Sequence, residues 1–244
     1  MGTSLKGKHV VVAGGNSGMG LALARDLLTQ GAAVTIVGRS LAKLQAAREH
    51  LQACGTPQLE QADVSAEREV QDLFERIGQL DHLVCTAADI GGAYVVLQAL
   101  ERSALERAMN SKIVAPVLLA KYASLRLPAQ GSITFVSGIA AYRPRAKGVA
   151  VAAINAALEG VVRAMAVELA PIRVNAVSPG WVRTPIWEDV AGADTEQMLA
   201  AMAQRLPVGR IGTPEDIAHA MVFLLGNGYT TGSVLHVDGG HRLV

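Results

Sequence analysis

A chain of 244 residues, half of them apolar, has the length of one large α/β domain and can bury a sizeable core. Its formal charge of +1 comes from 22 basic and 21 acidic residues interspersed along the sequence. That leaves no clustered basic surface of the kind a nucleic acid or an anionic membrane needs, so neither partner is expected.

Short β-branched runs alternate with longer helical ones. Residues 8–13 predict a buried strand and 18–30 a helix; 33–37 predict a second strand, and 41–53 a second helix with Ser40 placed to cap it. Residues 58–62 are a short strand, 67–77 a helix, 82–85 a fourth strand and 100–127 one long helical region. A fifth strand over 132–137 precedes a long helix over 149–170, then come a sixth strand over 173–177, a helix over 214–225 and a last strand over 234–237. The alternation implies a Rossmann-like, doubly wound parallel sheet of about seven strands, with right-handed crossovers and helices on both faces. No linker, repeat or low-complexity segment interrupts residues 1–244, so a single domain is expected.

Residues 1–9 carry charges and glycines but no apolar h-region, so no secretory signal is expected. The apolar stretch 148–169 is broken by Asn155, Glu159, Arg163 and Glu168 and does not read as a membrane span. Cys54 and Cys85 belong to no CxxC pair; two reduced thiols, a cytoplasmic location and no metal site are the expectation.

The densest signal is Ala13-Gly-Gly-Asn-Ser-Gly-Met-Gly20, between the first strand and the first helix. Glycines there let the backbone turn sharply and approach a pyrophosphate, while the helix N-terminus aims free N–H groups at the negative charge. Its spacing, from Gly14 through Gly18 to Gly20, resembles the turn of the short-chain dehydrogenase/reductase family, with Ala13 in place of the family's Thr. The resemblance continues in Asp63-Val64, in Ser178-Pro-Gly-Trp-Val-Arg-Thr-Pro185 and in Thr231-Gly-Ser-Val-Leu-His-Val-Asp-Gly-Gly240. It implies that Gly14, Asn16, Ser17, Gly18 and Met19 hold the pyrophosphate. Asp63, Val64 and Ala87 would border adenosine, and Pro179, Gly180, Val182 and Thr184 would cradle the nicotinamide. Around Ala87 the family's Asn-Asn-Ala-Gly has become Cys85-Thr-Ala-Ala88, still small enough for close passage.

The second strand ends in Gly38-Arg39-Ser40 rather than in a carboxylate that would accept from the 2′-hydroxyl of NAD. Arg39 can pair with a 2′-phosphate and Ser40 can add a hydroxyl, so NADP is the expected cofactor. NAD stays possible, because an Arg at this place also stacks on adenine.

The resemblance also locates what is missing. The family protonates a carbonyl oxygen with a Tyr activated by a Lys one helical turn later, while a Ser holds the oxygen and an Asn completes a relay. Those positions fall on Gly138, Val151 and Asn155, and only Asn110 keeps its identity. Tyr142 is the expected substitute donor, with Lys147 and Tyr94 behind it. Residues 185–207 are expected to cover the substrate, and Trp181, Trp187, Met198 and Met202 to form an apolar wall suited to a hydrophobic small molecule. The helix over 149–170, apolar nearly all round, needs cover on both sides and predicts a homodimer or homotetramer. Two functions follow: an NADP-dependent oxidoreductase acting on a carbonyl or alcohol with a nonstandard proton donor, or a catalytically silent NADP-binding protein serving as redox sensor or assembly partner.

Overall fold

The computed structural model describes residues 4–185, 187 and 192–244. Among them seven strands form one parallel sheet: β1 (His9–Ala13), β2 (Ala33–Gly38), β3 (Gln58–Gln61), β4 (His82–Cys85), β5 (Ser132–Val136), β6 (Arg173–Pro179) and β7 (Val234–Val237). Their order is β3-β2-β1-β4-β5-β6-β7, so the chain winds outward to one edge, returns beside β1 and winds to the other. A crevice therefore opens between β1 and β4 at the carboxyl ends of the strands, where such sheets bind ligands.

Helices α1 (Gly18–Thr29), α2 (Leu41–Leu51) and α8 (Pro214–Gly226) cover one face, and α3 (Glu67–Ile77), α5 (Ala115–Ala123) and α6 (Val149–Glu168) the other. β1 shows why both faces must be covered: Val10 and Val12 pack toward Leu23 and Leu27 of α1, while Val11 and Ala13 pack toward Leu73 of α3 and Leu158 of α6. All four strand residues are fully buried, as expected of a parallel strand with apolar groups on successive positions. Ser40 caps α2 as expected, its hydroxyl accepting from the Lys43 N–H at 3.3 Å. α8 starts with a Thr213–Asp216 capping box and Pro214 in its first turn.

The long helical region expected over 100–127 is broken. α4 (Arg102–Met109) gives way to a π turn over Asn110–Val114 before α5 begins. Pro116 explains the break: it lacks the N–H that an uninterrupted helix would offer to the carbonyl of Lys112, and its ring crowds that carbonyl. The freed turn sends Lys112 inward, where its ammonium donates to the carbonyls of Val136 at 2.7 Å and Ser137 at 3.1 Å. Burial pulls this lysine down to about 8.

α6 is long and apolar enough to cross a membrane by composition. It instead buries Leu158 and Val162 against the sheet and leaves Val149 and Val167 exposed. In the segment 185–207, Ile186 and residues 188–191 lie outside the described residues; α7 (Thr195–Ala203) follows them. Trp181 and Trp187 stack with ring centroids 4.4 Å apart and pack on Leu199 with Met198 and Met202 alongside. Cys85 is buried, which pushes its thiol up to about 11, and Cys54 is half-buried and free.

At the far edge Arg173 is buried and donates to the carbonyls of Leu224 and Leu225, the open C-terminal end of α8. Between β4 and β5, His82 and Ser132 are register partners, with the ring Nδ1 2.8 Å from the hydroxyl oxygen. Burial holds His82 at about 4, against 6.5 for an exposed histidine. The unfolded chain therefore takes up this proton before the folded one does. The associated stability is present above pH 6.5 and is lost as pH falls toward 4. Urea unfolding should show a loss of ~2 kcal/mol between about pH 7.5 and about pH 5 from this group, and His82→Asn should remove most of that slope. An unchanged slope in the variant would assign it to other groups.

Candidate dinucleotide and active site

A groove of about 920 Å³ runs along the crevice between β1 and β4, within the size range of ligand clefts. Gly14, Asn16, Ser17, Gly18 and Met19 line it, as do Arg39, Ser40, Asp63, Val64, Ala87 and Thr184. Pro179, Gly180 and Val182 do not reach the groove. Gly180 instead lies so close to β7 that a Cβ would stand 2.6 Å from Asp238 Cα, and Val182 is buried beside Gly212. These three carry the chain to Thr184, whose methyl stands 3.5 Å from a Cβ built on Gly18, across the phosphate turn.

The turn is a cradle that only glycine permits. A Cβ on Gly14 would lie 2.7 Å from both the Ala87 nitrogen and the Thr86 hydroxyl oxygen, and one on Gly20 would collide with the Gly14 carbonyl. With φ of +85° at Gly14 and +50° at Gly18, the backbone also adopts a hand that other residues avoid. Ser17 makes no side-chain cap and α1 has no acid in its first turn, so its leading N–H groups face the groove uncompensated. The residues present thus suit a dinucleotide pyrophosphate.

At the adenosine end the carbonyl oxygen of the Asn16 amide lies 2.9 Å from a Cβ built on Gly38, so a carboxylate-bearing residue at that strand tip has no room without displacing Asn16. Burial alone would raise the Asp63 carboxyl. The Ser65 hydroxyl and N–H that donate to it, with the Arg39 charge, outweigh burial and hold it below the usual range. Lys43 lines the same end and adds a second cation beside Arg39.

The positions expected to be catalytic divide. Asn110, first residue of the π turn, lines the groove; Tyr142 does not. The Tyr142 hydroxyl donates to Glu159 Oε2 at 2.5 Å, and its ring meets His236 edge-on at 4.5 Å. Burial, with the bond to Glu159 and that carboxylate's charge, pushes this phenol up to about 12. The other Glu159 oxygen accepts from the Ser137 hydroxyl at 2.8 Å, which satisfies a carboxylate only 4% exposed. The structure therefore places the expected donor on a buried acid rather than at the groove.

Gly138, Val151 and Asn155 lie together. The Asn155 amide nitrogen stands 2.8 Å from a Cβ built on Gly138, so it fills the space a serine side chain would take. Asn155 Oδ1 is buried without a partner among the described residues. Tyr94 lines the groove and packs on the cluster that contains Val151 and Ile154. Burial raises its phenol, opposed by the Arg145 charge. Among the described residues no group takes a hydrogen bond from its hydroxyl.

Sequence reading missed Lys43, Asp89 and the inward turn of Lys112. Lys43 sits one helical turn from Arg39 on a capped helix and was legible in principle. Asp89 and Lys112 owe their places to long-range contacts. Among the described residues no group of three or more His, Cys, Asp or Glu is placed to hold a metal ion.

The sequence matches, over residues 13–242, the family described as enoyl-(acyl carrier protein) reductase. It is 34% identical over 254 residues to cis-4-hydroxycyclohexanecarboxylate dehydrogenase of Sinomonas cyclohexanicum, covering 100% of both chains. It is 32% identical over 256 residues to the short-chain dehydrogenase/reductase malC of Malbranchea aurantiaca, covering 98% of this chain and 96% of that protein. The solved MalC reductase/Diels-Alderase superposes with a TM-score of 0.91 at 30% identity over 98% of each chain. A small-chain dehydrogenase in complex with NADPH superposes with a TM-score of 0.83 at 34% identity, over 98% of this chain and 100% of that one.

The packing of Asn155 on Gly138 predicts a coupled pair. Gly138→Ser alone should overpack this buried corner and cost ~1–3 kcal/mol in thermal unfolding. Adding Asn155→Ala should recover much of that loss, and additive effects would mean the two sites do not share space.

Proposed function

The chain belongs to the short-chain dehydrogenase/reductase family, and from that premise we propose that it is an NADP(H)-dependent oxidoreductase that interconverts a carbonyl and an alcohol with a nonstandard proton donor. The observation that carries this reading is the groove itself, in which the phosphate turn, Arg39 with Lys43, Thr184, Asn110 and Tyr94 line one continuous cleft. The NADPH complex of a related dehydrogenase supports the choice of dinucleotide.

A bound nicotinamide supplies or accepts the hydride. The α1 N-terminus and the glycine turn would hold the pyrophosphate, and Arg39, Ser40 and Lys43 would receive the 2′-phosphate, while Thr184 faces the turn from across the groove. Proton delivery falls to Tyr94 in preference to Tyr142. Its hydroxyl lies on the groove wall with no competing partner among the described residues, whereas Tyr142 is committed to Glu159. Asn110 adds a polar group to the same groove. Ile90, Val95 and Pro185 give the same cleft an apolar lining, which fits a hydrophobic substrate. The exposed side of α6, with Val149 and Val167, is the surface we assign to pairing in a homodimer or homotetramer.

One specific observation favours the silent alternative. Valine and asparagine stand where the family has its phenol and ammonium, and Asn155 fills the space of the serine. A redox sensor or assembly partner would keep the dinucleotide cleft and need none of those three groups.

The deciding experiment follows NADPH and NADH oxidation against a panel of ketones and aldehydes. Wild-type turnover is expected, with Tyr94→Phe lowering kcat by ~10²-fold or more and Tyr142→Phe having little effect on rate. Loss of turnover in Tyr142→Phe with retention in Tyr94→Phe would exchange their roles. Turnover that appears only in the Gly138→Ser, Val151→Tyr, Asn155→Lys variant would establish the silent alternative.

A further inference from the structure

An ion pair spans the cofactor groove. Arg39 Nη1, on the turn after β2, donates to Asp89 Oδ2, on the loop after β4, at 3.3 Å. Because β2 and β4 flank β1, this bridge crosses above the phosphate turn, over the half of the groove that Asp63 and Val64 border.

Asp89 is fixed from behind. Its N–H donates to the Ser111 hydroxyl at 3.0 Å, and that hydroxyl donates to the Asp89 carbonyl at 3.0 Å. Its second carboxylate oxygen accepts weakly from the Gly91 N–H at 3.4 Å. On the opposite wall the Gln61 amide donates to the Arg39 carbonyl at 3.0 Å, which ties down the backbone and leaves the guanidinium free to swing. The groove thus sets Arg39, Lys43 and Arg107 against Asp63 and Asp89, close to balance before any ligand arrives. A ribose hydroxyl leaves that balance untouched. A 2′-phosphate adds close to two negative charges, by analogy with other phosphate monoesters, and competes with Asp89 for the Arg39 guanidinium.

We propose that Asp89 is a specificity-determining residue of the dinucleotide site: it holds Arg39 in a closed bridge that suits NAD(H), and NADP(H) must draw the guanidinium away from it. The inference rests on the dinucleotide reading above. The side chains of Arg39 and Asp89 are 66% and 34% exposed, so the bridge is a weak one that a phosphate can break. An exposed pair of this kind shifts an equilibrium by up to about five-fold, which sets the size of the expected effect.

The test needs no turnover. Dissociation constants of NADPH and NADH are measured directly, by ligand fluorescence or calorimetry, on wild type, Asp89→Asn, Arg39→Ala and the double variant. Asp89→Ser and thermal midpoints serve as controls for the loop. Asp89→Asn should tighten NADPH by about three- to five-fold and leave NADH within about two-fold. In the Arg39→Ala background the same change should gain much less. An unaltered NADPH-to-NADH ratio in both Asp89 variants would overturn the proposal, as would an equal gain without Arg39, which would reduce Asp89 to general repulsion. Binding of neither dinucleotide by the folded wild type would overturn the cofactor reading itself and this inference with it.

Discussion

The rest of the structure depends on how closely the turn after β1 lies against the segment after β4. Thr86 donates from its N–H to the Ala13 carbonyl at 2.8 Å, and its hydroxyl is shared between the carbonyls of Ala13 and Gly14 at 3.2 Å each. Backbone on backbone, this contact sets the direction in which α1 leaves the sheet and the depth of the groove floor. It tolerates no Cβ on Gly14 or Gly20. It also explains how the family's Asn-Asn-Ala-Gly can become Cys85-Thr-Ala-Ala88: the hydroxyl of Thr86 supplies the bonds, and Ala87 is small enough to leave the approach open.

Beyond β5 the chain holds a second polar arrangement. Ser137, Glu159 and Tyr142 form a hydrogen-bonded chain in which a nearly buried carboxylate has a partner on each oxygen. Lys112 satisfies the carbonyls of Val136 and Ser137 from the opposite side. A buried acid without those donors would be costly, so Tyr142 is held where stability needs it. The orphaned Oδ1 of Asn155 is the place where that satisfaction is incomplete, and it lies in the corner that Asn155 shares with Gly138.

Much of this was legible in the sequence, for local reasons. β-branched runs and glycine spacing are short-range signals. The strands from β1 to β7 and the phosphate turn could therefore be read directly, and Ser40 announced its cap. The break at Asn110–Val114 was missed although Pro116 was visible, because an apolar helical pattern on both sides masked a single absent N–H. Tyr142 was favoured on its distance along the chain from Gly138, and only the fold reveals that Glu159 claims it. Trp181 and Trp187, expected as a pocket wall, instead stack on each other and pack on Leu199 away from the groove lining. The Arg39–Asp89 bridge joins residues 50 positions apart, on loops that follow strands that are not neighbours, and no local pattern encodes it.

The contact between Gly138 and Asn155 also constrains which sequences can be reached from this one by single changes. A side chain at position 138 meets the amide of Asn155, and an ammonium at position 155 would find no phenol beside it at Val151. Each intermediate carries a steric or electrostatic penalty before any benefit appears. The corner therefore acts as one unit: a single substitution there meets a neighbour fitted to the present residue, and a different polar set is accommodated best when its members change together.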